Sequence, residues 1–106
     1  MKGVEIRLQH RDGVAVIKVL GELDYSNVEK LEFEIKRRWE KVIEIDFGNM
    51  RFIDSSGVGM LLNQARRLHK QGRTLRIVNI PDFIRENLEI IGYFQVMECL
   101  ERNKNI

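Results

Sequence analysis

The amino-terminal part of the chain carries two strand patterns that face each other across a turn. Over residues 4–10 the apolar side chains Val4, Ile6 and Leu8 alternate with polar ones, which is the period of a half-buried strand. Residues 14–20 are almost continuously apolar and β-branched, as in a strand covered on both faces. An Asp-Gly pair separates the two runs and is a strong hairpin signal. The pattern therefore predicts an antiparallel hairpin.

Helical and strand patterns alternate over the rest of the chain. Three segments have apolar residues at helical spacing, namely residues 25–40, 57–71 and 81–91. Three short apolar runs are predicted to be strands, namely residues 42–47, 74–80 and 94–100, the last running into a frayed helical tail. The predicted order is ββαβαβαβ. Because helices of this length carry parallel crossovers, we expect one α/β domain over residues 1–106, with a mixed sheet covered by helices on at least one face.

The boundaries of these elements have their own signals. Asp24 or Ser26 can cap the first predicted helix by accepting bonds from its unpaired N–H groups. The apolar stripe of that helix ends in Trp39, whereas Phe33 lies off the stripe. Gly92 is expected to end the third helix, since glycine is the usual residue just past a helix end. Residues 48–53 are predicted to be a connecting loop.

Composition and charge describe an ordinary globular chain. Eighteen Lys and Arg face sixteen Asp and Glu, a formal net charge of +2, so no global charge draws it to nucleic acid or membrane. No run approaches the roughly 18 apolar residues of a membrane span. The amino terminus lacks the apolar core of a signal peptide, and a cytoplasmic location is expected. Cys99 is the one cysteine, which excludes an internal disulfide, and its neighbours predict a buried small hydrophobe.

The most informative stretch is residues 52–59, Phe-Ile-Asp-Ser-Ser-Gly-Val-Gly, between a predicted strand and a predicted helix. Two hydroxyls, on Ser55 and Ser56, lie at the helix amino terminus, where unpaired N–H groups and the helix dipole stabilise an anion. One alternative is that a serine simply caps the helix. A cap needs only one hydroxyl, however, and here two serines stand beside a carboxylate and two glycines.

An enzyme is the least supported function. Serine hydrolases of the G-x-S-x-G type need a glycine that is absent from the sequence Ile-Asp-Ser-Ser-Gly. His10 and His69 are predicted to be surface or boundary residues, and neither has an evident catalytic partner. The chain has no phosphate-binding G-K-[ST] motif and no Cys/His cluster with metal-ligand spacing. We therefore expect no catalytic residue, no metal and no cofactor.

The sequence Asp-Ser-Ser-Gly-Val-Gly at 54–59, together with Gly-Glu-Leu-Asp at 21–24, resembles the anti-sigma-factor antagonists, the STAS-domain proteins, over roughly residues 4–100. The resemblance implies a mixed sheet of four or five strands with helices mainly on one side. It implies a cytoplasmic protein that binds an anti-sigma factor with serine kinase activity and so frees a sigma factor. Phosphorylation of the second serine, here Ser56, ends that binding, and a metal-dependent serine phosphatase restores it. The final helix usual in the family is expected to be short or absent.

The resemblance also indicates which residues meet the partner. It places Asp24 near the phosphorylation loop, while Asp54 has two candidate roles, orienting the Ser56 hydroxyl or capping the loop backbone. The expected switch loop and contact residues are Asp24, Asp54, Ser55, Gly57, Val58, Gly59 and Met60, with Met60 pointing outward and the glycines allowing close approach. No direct contact with nucleic acid or membrane is expected, and the protein should be a monomer or weak dimer. The alternatives are a STAS scaffold subunit of a stress-signalling assembly or a ligand-binding STAS module.

Overall fold

Four strands and four helices follow one another in the order ββαβαβαα, in a computed structural model that describes residues 3–102 apart from the side chain of Glu101. The strands are β1 Val4–Arg11, β2 Val14–Leu23, β3 Val42–Ile53 and β4 Thr74–Val78. The helices are α1 Val28–Lys36, α2 Ser55–Lys70, α3 Asp82–Ile91 and α4 Tyr93–Arg102. The strands pair in chain order, with β1 antiparallel to β2 and with β2, β3 and β4 mutually parallel.

The predicted hairpin is confirmed. Arg11 pairs with Val14, which leaves a two-residue loop of Asp12 and Gly13. Both loop residues have positive φ, 52° and 79°. This is the backbone conformation that two-residue hairpin turns require and that an Asp-Gly pair tolerates.

The core lies on one face of the sheet, as the resemblance implies. Ile17 and Ile45 are register partners on β2 and β3, and both are completely buried toward the helices. The other face carries charged residues instead. There Glu44 accepts from Arg11, at the end of β1, at 2.9 Å and from Arg76, on the neighbouring strand β4, at 3.0 Å, so two cations neutralise a nearly buried carboxylate.

The third strand is longer than the sequence predicts. Residues 48–53 are not a loop, because Asn49, Met50 and Phe52 continue the pairing with β2 through two register shifts. Met50 and Ile53 are buried, at 2% exposed each. The irregular spacing of these buried positions hides the strand from a search for strict alternation.

The carboxyl-terminal segment is a helix, and the predicted strand over residues 94–100 is wrong. Tyr93, Met97 and Leu100 recur at helical spacing, and all three pack against the core cluster. The expectation that the final helix is short or absent is wrong too, since α4 has ten described residues. A short apolar run fits either period, and here burial of the 3.6-residue stripe decides for the helix.

Two further expectations concern this segment. Cys99 is exposed rather than buried, because it lies off the face that α4 turns to the core. The predicted frayed tail belongs to α4 as far as Arg102, and residues 103–106 lie outside the described residues.

The first helix is shorter than the predicted 25–40. The guanidinium of Arg73 donates to the carbonyl oxygens of Arg38 and Glu40, each at 2.9 Å. These bonds hold the segment after α1 against the start of β4, so its carbonyls are satisfied outside a helix.

The aromatic residues of this region are exposed. Trp39 is 79% exposed, so its predicted place on the core stripe is wrong. Phe33 is exposed as well, and the guanidinium carbon of Arg37 lies 5.5 Å from its ring centroid. That cation–π contact is the only structural role that we find for Phe33 in the part of the chain described.

Glu40 is a buried carboxylate shortly before the start of β3, and it is 1% exposed. It accepts hydrogen bonds from the His10 ring and from the backbone N–H of Trp39, which gives His10 a partner that the sequence does not reveal. Burial raises the pKa of this carboxyl, but the bonds from its own backbone N–H, from His10 and from Trp39 outweigh burial and lower the pKa below its ordinary value. The folded state therefore favours the ionised carboxylate.

Candidate functional site

The turn after β2 and the start of α2 meet at the carboxyl ends of two parallel strands. Leu23 ends β2 and Ile53 ends β3, and the two residues are register partners. Directly after them, the backbone N–H of Asp54 donates to the carbonyl of Leu23 at 3.2 Å. Loops at the carboxyl ends of parallel strands are the usual place for function in open α/β sheets, because neighbouring strands deliver their loops to one edge.

The Asp54 carboxylate connects these two segments by hydrogen bonds. It is the N-cap of α2, in an extended conformation, and its Oδ1 accepts from the Gly57 N–H at 3.0 Å. Its Oδ2 accepts from the Tyr25 N–H, also at 3.0 Å. Of the two roles proposed from the sequence, the structure therefore gives Asp54 the backbone role. One carboxylate both caps the helix and fastens the preceding turn to it.

Ser55 and Ser56 are the first two residues of α2, and both are exposed. Neither is the cap, because Asp54 already occupies that position. The alternative that a serine is there only to cap the helix is therefore wrong. Within residues 3–102, neither hydroxyl has a hydrogen-bond partner, so both are available to another molecule.

The turn after β2 is tied together by its own side chains. Asp24 Oδ1 accepts from the backbone N–H of Ser26 at 2.9 Å and from its hydroxyl at 2.5 Å, while the Asp24 N–H donates to Asn27 Oδ1 at 3.0 Å. Asn27, not Asp24 or Ser26, holds the cap position of α1. Asp24 thus shapes the turn whose next residue, Tyr25, is fastened to Asp54.

The two glycines of the motif, Gly57 and Gly59, have different surroundings. Gly57 is buried, and a Cβ there would lie 2.8 Å from Ile53 Cγ1 and 3.2 Å from Leu23 Cδ2. Its small size serves internal packing rather than the approach of a partner, contrary to the expectation. A Cβ on Gly59 would meet nothing within 4 Å, so this position alone of the two remains open to a partner.

The expectation that Met60 points outward is wrong, because it is only 7% exposed and belongs to the core. Val58 is completely buried as well. The large exposed apolar side chains of the adjoining segments are instead Tyr25, which is 79% exposed, and Phe52, which is 44% exposed. Sequence reasoning missed both, although Tyr25 directly follows Asp24 and Phe52 lies two positions before Asp54.

The charge at this edge is mostly negative. The segments that meet here contribute Glu22, Asp24 and Asp54, against one cation, Arg51. A further negative group at this edge would therefore meet like charge on its own chain. In the described part of the chain, no His, Cys, Asp and Glu side chains form a group suited to a metal ion, and none of the helices could cross a membrane.

Comparisons with known proteins agree on the type of domain. A family model described as the STAS domain matches residues 5–104. The anti-sigma F factor antagonist of Paenibacillus polymyxa is 26% identical over an alignment of 106 positions that covers 96% of this chain and 91% of that protein. An anti-sigma factor antagonist from Mycobacterium paratuberculosis superposes with a TM-score of 0.79 at 23% identity, over 88% of this chain and 81% of the other. The Bacillus cell fate determinant SpoIIAA in its phosphorylated form superposes with a TM-score of 0.65 at 25% identity, over 92% of this chain and 98% of the other.

Proposed function

The chain belongs to the STAS-domain family, and from that premise we propose that it is an anti-sigma-factor antagonist switched by phosphorylation of Ser56. Unphosphorylated, it binds an anti-sigma factor that is also a serine kinase, and this binding releases a sigma factor. The kinase then phosphorylates Ser56, and the phosphorylated protein dissociates from it. A serine phosphatase removes the phosphate and restores binding. The chain supplies the binding surface and the acceptor hydroxyl, and no catalytic group.

One observation carries the proposal: α2 begins with two exposed serines that its own cap does not need. Asp54 accepts a hydrogen bond from the Gly57 N–H, so neither Ser55 nor Ser56 is needed to cap the amino terminus of the helix. The relative from Paenibacillus polymyxa is named an anti-sigma F factor antagonist, and the SpoIIAA structure is that of a phosphorylated form. Together these support a role in which a hydroxyl at this edge is modified.

The fold can accept a phosphate on Ser56 without rearranging. Phosphorylation adds about −1.5 to −2 charges and three acceptor oxygens. At the second residue of α2 these oxygens lie beside unpaired N–H groups and the positive end of the helix dipole, an effect of about 0.3–1 kcal/mol at an exposed site. The nearby Asp54 carboxylate opposes that gain. Because the two effects oppose each other at an exposed site, the switch is local and the stability of the domain changes little.

The partner is the component that cannot accept the phosphate. A surface that fits a neutral hydroxyl must bury the new charge or move away from it. Leaving one charge of a buried pair unmatched typically costs about 2–5 kcal/mol of binding free energy. A loss of that size is enough to separate the complex without any change of fold.

Ser56, rather than Ser55, is the proposed acceptor because it is the second serine of the motif. The test is labelling by the anti-sigma factor kinases of the same organism with Mg-ATP, followed by mass mapping. Ser56→Ala should abolish labelling while leaving binding intact, and Ser55→Ala should still be labelled. If Ser55→Ala abolishes the label and Ser56→Ala does not, the site assignment is wrong.

A further inference from the structure

Two exposed aromatic residues, Tyr25 and Phe52, belong to the chain segments that meet at the start of α2. Tyr25 is 79% exposed and Phe52 is 44% exposed. Single exposed apolar side chains are normal on protein surfaces. Two large exposed rings on the segments next to a proposed binding residue are informative, because exposed apolar surface marks interaction sites.

The hydrogen bonds and the length of the chain limit how far the backbones of Tyr25 and Phe52 lie from Ser56. The Tyr25 N–H is 3.0 Å from Asp54 Oδ2, and Asp54 Oδ1 is 3.0 Å from the Gly57 N–H. Phe52 precedes Ser56 by four residues, which span at most about 14 Å of extended chain. A standard interface buries about 800 Å² on each partner, equivalent to a disc of about 16 Å radius. The backbone positions of both residues therefore lie within the radius of an interface of that size centred on Ser56.

The two rings are also suited to act as anchors. Tyrosine is enriched among the residues that dominate binding energy, and aromatic residues are enriched at interface centres. The backbone beneath Tyr25 is held in advance, by the Asp24–Ser26 bonds on one side and by Asp54 on the other. A turn that is already ordered loses less conformational entropy when a partner binds. Met60, the residue expected to fill this role, is buried and cannot do so.

We infer that Tyr25 and Phe52 are the apolar anchors that the anti-sigma factor buries when it holds the unphosphorylated protein. The inference rests on the proposed function and adds to it the part of the surface that supplies affinity. Ser56 then controls whether the partner binds, and the two rings supply much of the binding affinity. The Asp54 carboxylate holds the Tyr25 backbone to the first turn of α2, which carries Ser56, through the Tyr25 and Gly57 N–H groups.

The test compares Tyr25→Ala and Phe52→Ala with Trp39→Ala as a matched control. Trp39 is as exposed as Tyr25, at 79%, but it precedes β3, whereas Phe52 lies near the far end of that strand. Binding is measured by calorimetry against each purified anti-sigma factor of the same organism, with Mg-ADP so that no phosphate is transferred. Circular dichroism and a urea titration accompany each variant, and Tyr25→Ala decides alone if Phe52→Ala does not fold. Tyr25→Ala leaves the backbone N–H to Asp54 in place.

The expected result is an affinity loss of at least tenfold for each ring variant and less than twofold for Trp39→Ala. The inference is overturned if the wild type binds but the ring variants lose less than threefold, or if Trp39→Ala loses as much as they do. A wild type that binds none of the anti-sigma factors overturns the proposed function, and the inference fails with it. Binding by the wild type therefore separates the two failures.

Discussion

Replacing Asp54 tests whether one carboxylate joins the turn after β2 to the start of α2. Asp54→Ala removes both bonds, to the Gly57 N–H and to the Tyr25 N–H, each 3.0 Å long. Loss of an N-cap costs about 1 kcal/mol, and loss of a hydrogen bond to a charged group costs about 1.5–3 kcal/mol when buried. Because Asp54 is only half-buried, we take the lower end and expect about 2–3 kcal/mol for Asp54→Ala.

Asp54→Asn separates the two bonds. Asparagine is as good a cap as aspartate, but its amide has one oxygen, so it can accept from Gly57 or from Tyr25 and not from both in the present geometry. We expect a loss of about 1 kcal/mol, the value of one bond.

The assay for both variants is urea unfolding at pH 7, supported by thermal melts. In a domain of this size, 1 kcal/mol corresponds to about 4–8 °C in Tm. Asp54→Ala should therefore melt at least 8 °C below the wild type, with Asp54→Asn about midway. The two-bond account is refuted if Asp54→Ala loses less than about 0.5 kcal/mol, the lower limit for a cap, or if the two variants lose equal amounts.

Two further predictions concern packing and pH. Gly57→Ala should lose about 1–3 kcal/mol in a urea titration, because its Cβ would overlap Ile53, whereas Gly59→Ala meets nothing and should gain about 0.5–1 kcal/mol from helix propensity. Equal effects of the two glycine variants would contradict this packing. The lowered pKa of Glu40 means that its contribution is complete above the ordinary carboxyl pKa of 4.5 and is lost as the pH falls through the lower folded value. Glu40→Gln should therefore reduce stability at pH 7 and flatten the acid limb of a stability–pH curve, and an unchanged acid limb would show that His10 does not hold an ionised carboxylate.

The fold was predictable wherever local chemistry and burial agree. The Asp12–Gly13 turn needs two positive φ values that this dipeptide tolerates, so the hairpin could be predicted from two residues. Helical spacing over residues 57–71 likewise predicted α2, although it placed Met60 on the wrong face. Residues 94–100 were not, because a short apolar run fits either period until the core selects one. Trp39 misled for a related reason: helical spacing continues past α1, while the long-range bonds of Arg73 hold the backbone there outside the helix.

The sequence motif of the candidate site was predictable, but the set of neighbouring side chains that are exposed around it was not. The Asp-Ser-Ser-Gly sequence indicated the serines, and the structure leaves both exposed. Which neighbours point outward depends on the rotation of α2 against the sheet, and that rotation buries Met60 and leaves open space beside Gly59. The nearness of Tyr25 arises from a bond across 29 residues, to Asp54, which no local pattern contains.

The central claim is that a phosphate on Ser56 ends binding while leaving the domain folded. The most direct measurement is the dissociation constant of one anti-sigma factor for the unphosphorylated protein and for the protein carrying one mapped phosphate on Ser56. We predict a weakening of at least 30-fold, which corresponds to about 2 kcal/mol, with unchanged circular dichroism. Affinities within threefold of each other, for two folded forms, would contradict the account.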